Sequence, residues 1–502
     1  MLVAGFSVVT RFLGFIFRIY MGRELGAEML GVYQVAFSVF MVLNVIVSSG
    51  LPLAVSKFTA TQRALKNPKA ESSVATSALI IGLAVSVFIS GIFVIFHDFI
   101  GKLFTDFRCM EILLTLLPAV IASAVYSAFR GSLWGRQDYF SVCWTELAEQ
   151  ILRIIFFFVM ALWLFKGADG ATIAGWSLSI ACVCSAILAT IVYFKKGGKI
   201  AKPNGYIKTV LKSSVPITGV RTATSLIQPV IAVLFPLMLV LAGVPNENAL
   251  ALYGVVMGMT FPLLFLPSTI VGALSFTLIP ELSSAIAKNQ KELVESRIKT
   301  CIIFAVLVSA LFIPFYVGLG PEIGKLIFDN EMSGVFLAKA AWIMVPLGLS
   351  NITSSILNSF NLEVKSFINN ILGGVVLLLF VVCCSSFMQA DALVWGFGLC
   401  MTLTTALNLI LIAKHTKLKF GILKPMLLML LFIIPSALLG KWGYNLCMTF
   451  FPSFISLCIG AVLSLGSFAI LCICFKLVDV VSIFSKIDTM PRILKVKKQK
   501  NK

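Results

Sequence analysis

Leu2-Val3-Ala4-Gly5-Phe6-Ser7-Val8-Val9-Thr10-Arg11-Phe12-Leu13-Gly14-Phe15-Ile16-Phe17-Arg18-Ile19-Tyr20 reads as a membrane-spanning helix with two cations inside it. The stretch has about the twenty apolar residues that one crossing needs. Arg11 falls near its middle. A cation at that depth costs at least a few kcal/mol unless it faces protein or water. Arg11 and Arg18 are seven apart, so about two turns, and project within about 20° of each other. Gly14 and Gly22 share that face. The result is a narrow cationic stripe with little bulk between the charges, the expected wall of a cavity that receives an anion.

The rest of the chain agrees with a lipid environment. Of 502 residues, 59% are hydrophobic and only 12% are charged, with a mean hydropathy of +1.02. A soluble chain would carry about a quarter charged residues. The first span has no basic segment before it and no small-residue cleavage site, so it reads as a retained helix. Net charge is +19, from 40 basic and 21 acidic residues. The bases lie in loops, which points to membrane topology and away from nucleic acid. Most of the 12 cysteines lie within apolar spans, with no C-x-x-C pair and no metal-type spacing with histidine. They read as small buried hydrophobes. His97 and His415 fall at span ends.

Fourteen apolar windows are predicted as transmembrane helices: 2–21, 31–55, 74–97, 111–134, 140–164, 170–194, 214–242, 249–279, 300–319, 334–359, 366–387, 391–413, 422–444 and 452–476. With the N-terminus in the cytoplasm, 29 Lys/Arg fall on the cytoplasmic side and seven outside. The other four are Arg11, Arg18, Arg153 and Arg221, inside spans. That asymmetry is the positive-inside pattern and puts both termini in the cytoplasm.

The lysine-rich 195–212 stretch also holds Gly197, Gly198, Pro203 and Gly205, and divides the chain. Helix 2 contains Tyr33-Gln34-Val35 and helix 8 contains Tyr253-Gly254-Val255, 220 residues later. The corner Phe129–Tyr139 has an echo at Leu357–Phe367. The expected fold class is an all-α polytopic membrane protein with fourteen transmembrane helices. Two six-helix lobes stand in pseudo-two-fold arrangement, followed by two C-terminal helices. The expected domains are an N-terminal lobe 1–195, a basic linker 196–213, a C-terminal lobe 214–415, helices 13–14 over 416–478 and a basic tail 479–502. Prolines inside spans, such as Pro118, Pro216, Pro236 and Pro314, serve either packing kinks or the bends of a moving transporter.

Three constellations could carry chemistry. Arg11, Arg18 and Arg221 are one: if helices 1 and 7 are repeat counterparts, their arginines face a central cavity. Guanidinium forks match the oxygens of a phosphate or diphosphate. The alternative is that Arg18 and Arg221 snorkel to opposite interfaces. Glu146, Glu149 and Arg153 are the second, at spacings of three and four on one helix face. They fit a structural ion pair between Glu149 and Arg153, or a coupling-ion or gating role. The third is Asn351, Asn358, Asn361, Asn369 and Asn370, read as interhelical glue or as sugar ligands. The sequence holds no P-loop, nucleophile elbow or H-E-x-x-H site, so neither enzyme chemistry nor a cofactor is expected.

The stretch Arg11 to Arg18, with Gly22-Arg23-Glu24-Leu25-Gly26-Ala27-Glu28 and Gly31-Val32-Tyr33-Gln34, resembles the start of the stage V sporulation protein B group. These are polysaccharide-type transporters of the multidrug/oligosaccharidyl-lipid/polysaccharide exporter superfamily. Gly50-Leu51-Pro52 with Ser56-Lys57, Arg130-Gly131 with Gly135-Arg136, Glu149-Gln150 with Arg153, and Leu278-Ile279-Pro280-Glu281 extend the likeness along nearly the whole chain. Relatives usually carry a short basic extension before helix 1, which is not seen here. The resemblance implies two six-helix lobes around a cavity and movement of polyprenyl-diphosphate-linked sugars by alternating access. Lipid II flippases are similar, and their paired helix-1 arginines correspond to Arg11 and Arg18, with spacing different by about one residue.

The function expected is therefore a flippase for a lipid-linked oligosaccharide or peptidoglycan precursor in cell envelope or spore cortex synthesis. Its partners would be the anionic lipid-linked glycan, membrane lipid, and a coupling ion (Na+ or H+) or the membrane potential, with the chain acting as a monomer. A drug/cation antiporter of the same fold and a non-transporting envelope-assembly scaffold are the alternatives. The first would need an acidic cavity group, and helices 1, 2, 7 and 8 carry none before Glu281.

Overall fold

The computed structural model describes residues 2–164, 169–203, 205–416 and 423–475, and all regular structure among them is helical. Twelve helices among the described residues are long and apolar enough to cross a membrane. The first such run, Val8–Ala64, has 57 residues. At 1.5 Å per residue it would measure roughly 85 Å, against a hydrocarbon core of about 30 Å. It is broken at Gly26, where φ is 69° and ψ 177°. A Cβ there would touch nothing within 4 Å, so backbone conformation alone demands glycine. Helix Tyr139–Val159 falls outside the twelve and carries Glu146, Glu149 and Arg153. Counting the bent run twice and adding this helix would give the fourteen crossings expected. Leu423–Met448 and Ser453–Cys474 lie where helices 13 and 14 were predicted. The expected basic tail 479–502 lies outside the described residues.

Turns on two parts of the chain repeat in their hydrogen bonding. Lys66 (φ 54°) and Asn289 (φ 56°) each end a helix in the left-handed region. Lys66 N donates to Arg63 O and Asn67 N to Gln62 O; Asn289 N donates to Ile286 O and Gln290 N to Ala285 O. Gln137 (φ 63°) and Asn361 (φ 58°) form a second such pair. Gln137 N bonds Trp134 O and Asp138 N bonds Leu133 O, while Asn361 N bonds Asn358 O and Leu362 N bonds Leu357 O. These are the paired back-bonds of a Schellman ending. The spacings are 223 and 224 residues. Leu133, not Phe129, is thus the counterpart of Leu357. The shift of four residues arises because carbonyls and amides define the corner, and apolar side chains one turn apart look alike.

The chain packs as two compact units. One comprises Met1–Pro262 and Gly374–Gly396, the other Leu263–Gly373 and Phe397–Lys502. Residues 196–262 pack with the first six helices, so the compact units and the sequence repeats divide the chain differently.

In the first unit, small residues let helix backbones approach. A Cβ on Gly131 would lie 2.8 Å from Pro52 Cα and O, and one on Gly135 2.7 Å from Ser56 O. Lipid offers no hydrophobic drive for helix association, so such close packing supplies the attraction. Ion pairs gather at the ends. At one end Arg136 Nε meets Glu71 Oε1 at 2.5 Å, and Lys196 Nζ lies 3.2 Å from Asp138 Oδ2. At the other, Arg108 Nη2 meets Asp106 Oδ2 at 2.7 Å and Glu28 Oε1 at 2.5 Å, and Asn246 Nδ2 donates to Thr105 O at 3.2 Å.

The second unit holds the pair Arg297–Glu281 at 3.0 Å and the pair Lys441–Glu322. Its interior contains an amide and hydroxyl network. Asn369 Nδ2 donates to Asn408 Oδ1 at 2.9 Å, and Asn408 Nδ2 lies 3.2 Å from Thr353 Oγ1 and Ser354 Oγ. Asn370 Nδ2 donates to the Ser366 carbonyl at 2.9 Å, whereas Asn351 is exposed.

Candidate anion-binding site

The site lies wholly within the first unit and is assembled from four helical segments, one of them the stretch after Gly26 that carries Tyr33. Helix 2–25 runs beside Tyr139–Val159, with Phe6 against Phe140 (5.8 Å between ring centroids) and Phe17 against Phe157 (5.3 Å). Between these contacts, Gly14 faces Gln150: a Cβ at 14 would lie 3.5 Å from Gln150 Nε2. The face carrying Arg11, Gly14 and Arg18 therefore turns toward the charged helix. The third helix, Asn246–Tyr253, crosses just beyond Gly26. A Cβ on Gly31 would strike the Leu250 carbonyl, and one on Gly254 the Ala27 carbonyl. Both glycines are required by that approach. Tyr253 immediately precedes a π-helical stretch, Gly254–Thr260. Such departures from the α register often accompany functional positions.

Arg18 is half-buried and shares its electrostatic surroundings with Tyr33, Arg153 and Tyr253. Helical rise puts these groups at one depth. Arg18 is eight residues before Gly26, Tyr33 seven after it, and Tyr253 seven after Asn246. Each distance is ~10–12 Å from the end marked by Arg108. Arg153 Nη2 donates to Tyr33 Oη at 3.0 Å, and its guanidinium carbon sits 4.9 Å from the centroid of Phe17. Its Nε is buried without a partner, as is Gln150 Nε2.

The two acids of this helix point elsewhere. Glu146 Oε1 accepts from Arg130 Nη1 at 3.4 Å, and Arg130 lies over the rings of Tyr126 and Trp134. Glu149 Oε1 accepts from the Cys182 thiol at 3.8 Å, with the Ser185 hydroxyl also in reach. No ion pair joins Glu149 to Arg153 among the described residues: the structure pairs Arg153 with a tyrosine and an aromatic face. Arg11 and Arg221 are exposed, and their side chains form no ion pair or hydrogen bond among the described residues.

Of the predicted residues, the structure thus gathers Arg18 and Arg153. It adds Tyr33, Tyr253, Phe17 and Gln150, which sequence reasoning did not select. The tyrosines were visible as the 220-residue echo, but a repeat signal does not say which way a side chain faces. Chemically, two cations share a mostly apolar enclosure with two phenol hydroxyls and two unpartnered N–H groups. All three kinds of group act on negative charge.

Comparison with known proteins places this geometry in context. The lipid II flippase MurJ in an inward closed conformation superposes with a TM-score of 0.70 at 14% identity, covering 96% of this chain and 99% of that one. An inward-facing multidrug resistance MATE family transporter of the MOP superfamily gives 0.68 at 16% identity, covering 81% and 94%. These likenesses show the fold. In sequence, the chain is 25% identical to stage V sporulation protein B of Bacillus subtilis (strain 168) over 382 residues, 74% of each protein. It is 26% identical over 301 residues to sporulation protein YkvU of the same organism, covering 58% of this chain and 66% of that one. The expected likeness to the stage V sporulation protein B group is met. A match to the polysaccharide biosynthesis proteins spans residues 2–284, more than half of the sequence. This multi-pass membrane protein belongs to the polysaccharide biosynthesis protein family.

Proposed function

We propose that the protein is a flippase that moves a polyprenyl-diphosphate-linked oligosaccharide or peptidoglycan precursor across the cytoplasmic membrane by alternating access. The product would serve cell envelope or spore cortex synthesis. One observation carries this reading: Arg18 and Arg153 share a site with no carboxylate among the described residues at ion-pair distance from either. Two like charges repel strongly where the dielectric constant is low. A diphosphate entering between them would relieve that repulsion, and its oxygens would accept from the guanidinium forks and the tyrosine hydroxyls. Arg11 and Arg221, both exposed, would meet the diphosphate as it enters or leaves. The sugar would cross through the wet cavity while the prenyl tail stays in lipid. A drug/cation antiporter would want the opposite charge at this place. Both termini would face the cytoplasm, as the loop charges require.

The test is reconstitution. Purified protein in proteoliposomes should flip a defined lipid-linked sugar, and cationic drugs should not be transported. Wild-type flipping by the Arg11→Ala, Arg18→Ala, Arg221→Ala triple variant at matched incorporation would sink the anion-site mechanism. For orientation, a cysteine introduced at Lys199 should be shielded from an impermeant thiol reagent in intact cells, and one at Asn246 should be labelled, in a background without reactive native cysteines.

A further inference from the structure

Glu149 stands one helical turn from Arg153, a spacing at which the two could pair, and they do not. Arg153 is held by Tyr33 and Phe17. The groups around the Glu149 carboxyl are Cys182 and Ser185 on Gly170–Lys195, Tyr126 on Arg108–Gly135, and Glu146 and Arg153 on its own helix. Glu146 is itself occupied by Arg130. Cys182 and Thr145 are buried, and Ser185, which also reaches the Thr145 carbonyl at 3.5 Å, is fully enclosed. The carboxyl thus has a thiol and a hydroxyl as partners and, among the described residues, no cation within ion-pair distance, on the helix expected as the fifth crossing. An ionised carboxylate there is costly, and a proton removes the cost.

We propose that Glu149 is a proton-binding site that shares Arg153 with the substrate anion, so that anion binding and protonation of this carboxyl are linked. The inference rests on the flippase reading above. With Glu149 ionised, Arg153 is drawn back one turn toward it and away from the anion site. With Glu149 protonated, Arg153 stays on Tyr33 and Phe17, beside Arg18, as seen here. A diphosphate and the Glu149 carboxylate therefore compete for one guanidinium. Binding the anion draws one proton from water onto a Glu149 oxygen, and releasing the anion returns it. By linkage, protonation must strengthen anion binding by the same factor that the anion strengthens proton binding.

Glu149→Gln retains the carbonyl that accepts from Cys182 and Ser185 while removing the titrating group, so it should fold. Folding is checked by monodisperse elution and thermal unfolding in detergent. The first measurement uses no substrate. Infrared difference spectra of the full chain against pH should show a protonated-carboxyl C=O band that is missing in Glu149→Gln. The second uses a short-chain dialkyl diphosphate diester, fully ionised across the range. Wild-type affinity should rise as pH falls, by up to about tenfold per unit for one coupled proton. Glu149→Gln should bind at the low-pH affinity with no slope. An unchanged slope in Glu149→Gln, or identical infrared spectra, would overturn the proposal. Absence of diester binding at every pH, with the infrared band present, would instead count against the anion site and leave the proton site standing.

Discussion

In the first unit, Arg18 and Arg153 share one enclosure with buried N–H groups that have no partner. In the second, Asn369, Asn408, Thr353 and Ser354 satisfy one another, and Asn408 is completely buried. Both are polar interiors of apolar helices, and both include residues singled out as candidates in the sequence. The difference is what remains unsatisfied. An amide network that closes on itself stabilises helix packing and asks nothing of a ligand. A cationic group with spare donors is stable only at a cost, which an anion can offset. Polar content in a membrane span is thus a weak guide to function, and residual charge is a stronger one.

The largest test of this contrast is Arg18→Ala. It should lower binding of a diphosphate diester by roughly 10- to 100-fold, the range for charge-assisted hydrogen bonds. Unfolding temperature should hold or rise, because Arg153 loses a repelling neighbour. Arg153→Lys keeps the charge but loses the fork to Tyr33 and the face contact with Phe17, so it should bind more weakly than wild type and better than Arg153→Ala. Reduced stability of Arg18→Ala with unchanged binding would make the first unit's cluster structural, like the second's.

Asn408→Ala should do the reverse. It strands the Asn369 amide in a buried setting, and should cost about 1–3 kcal/mol of stability. Diester affinity per folded molecule should stay at the wild-type level. A loss of affinity without loss of stability would bring the second network into the substrate path.

Asp138 tests an ion pair outside the spans. Burial pushes its carboxyl up, but Ser141 and Lys196 outweigh that and hold it below its ordinary 3.8. A lowered folded value means the stabilisation is present above the unfolded value and lost as pH falls through the folded one. Wild-type and Asp138→Asn stabilities should therefore differ at neutral pH and converge below about pH 4. Divergence on acidification would refute the pairing. The smallest effect is expected from Gly14→Ala. The new Cβ would meet Gln150 at ordinary contact distance, so flipping and stability should change little.

The membrane class, the approximate spans and the internal repeat were legible in the residues because lipid imposes them locally. Every crossing must be apolar over about twenty residues, and every loop shows its charge. The arginine stripe was legible for the same reason, since a cation inside an apolar run is conspicuous. Arg153 was legible as an embedded charge but was assigned to the wrong neighbour. The i, i+4 rule says which side chains can meet along one helix, whereas Tyr33 and Phe17 reach Arg153 from another helix. Tyr33 and Tyr253 were noticed only as a repeat.

The sequence alone determined that this chain lives in a membrane and that its first helix carries a cationic face. Only the tertiary structure decided which cations share a site. It joined Arg18 to Arg153, turned Glu149 toward Cys182, gave Glu146 to Arg130 and closed Asn408 on Asn369. The physical reason is range. Hydropathy acts residue by residue along the chain, but a charge inside a low-dielectric interior is governed by whichever groups the packing of distant helices brings within a few ångströms.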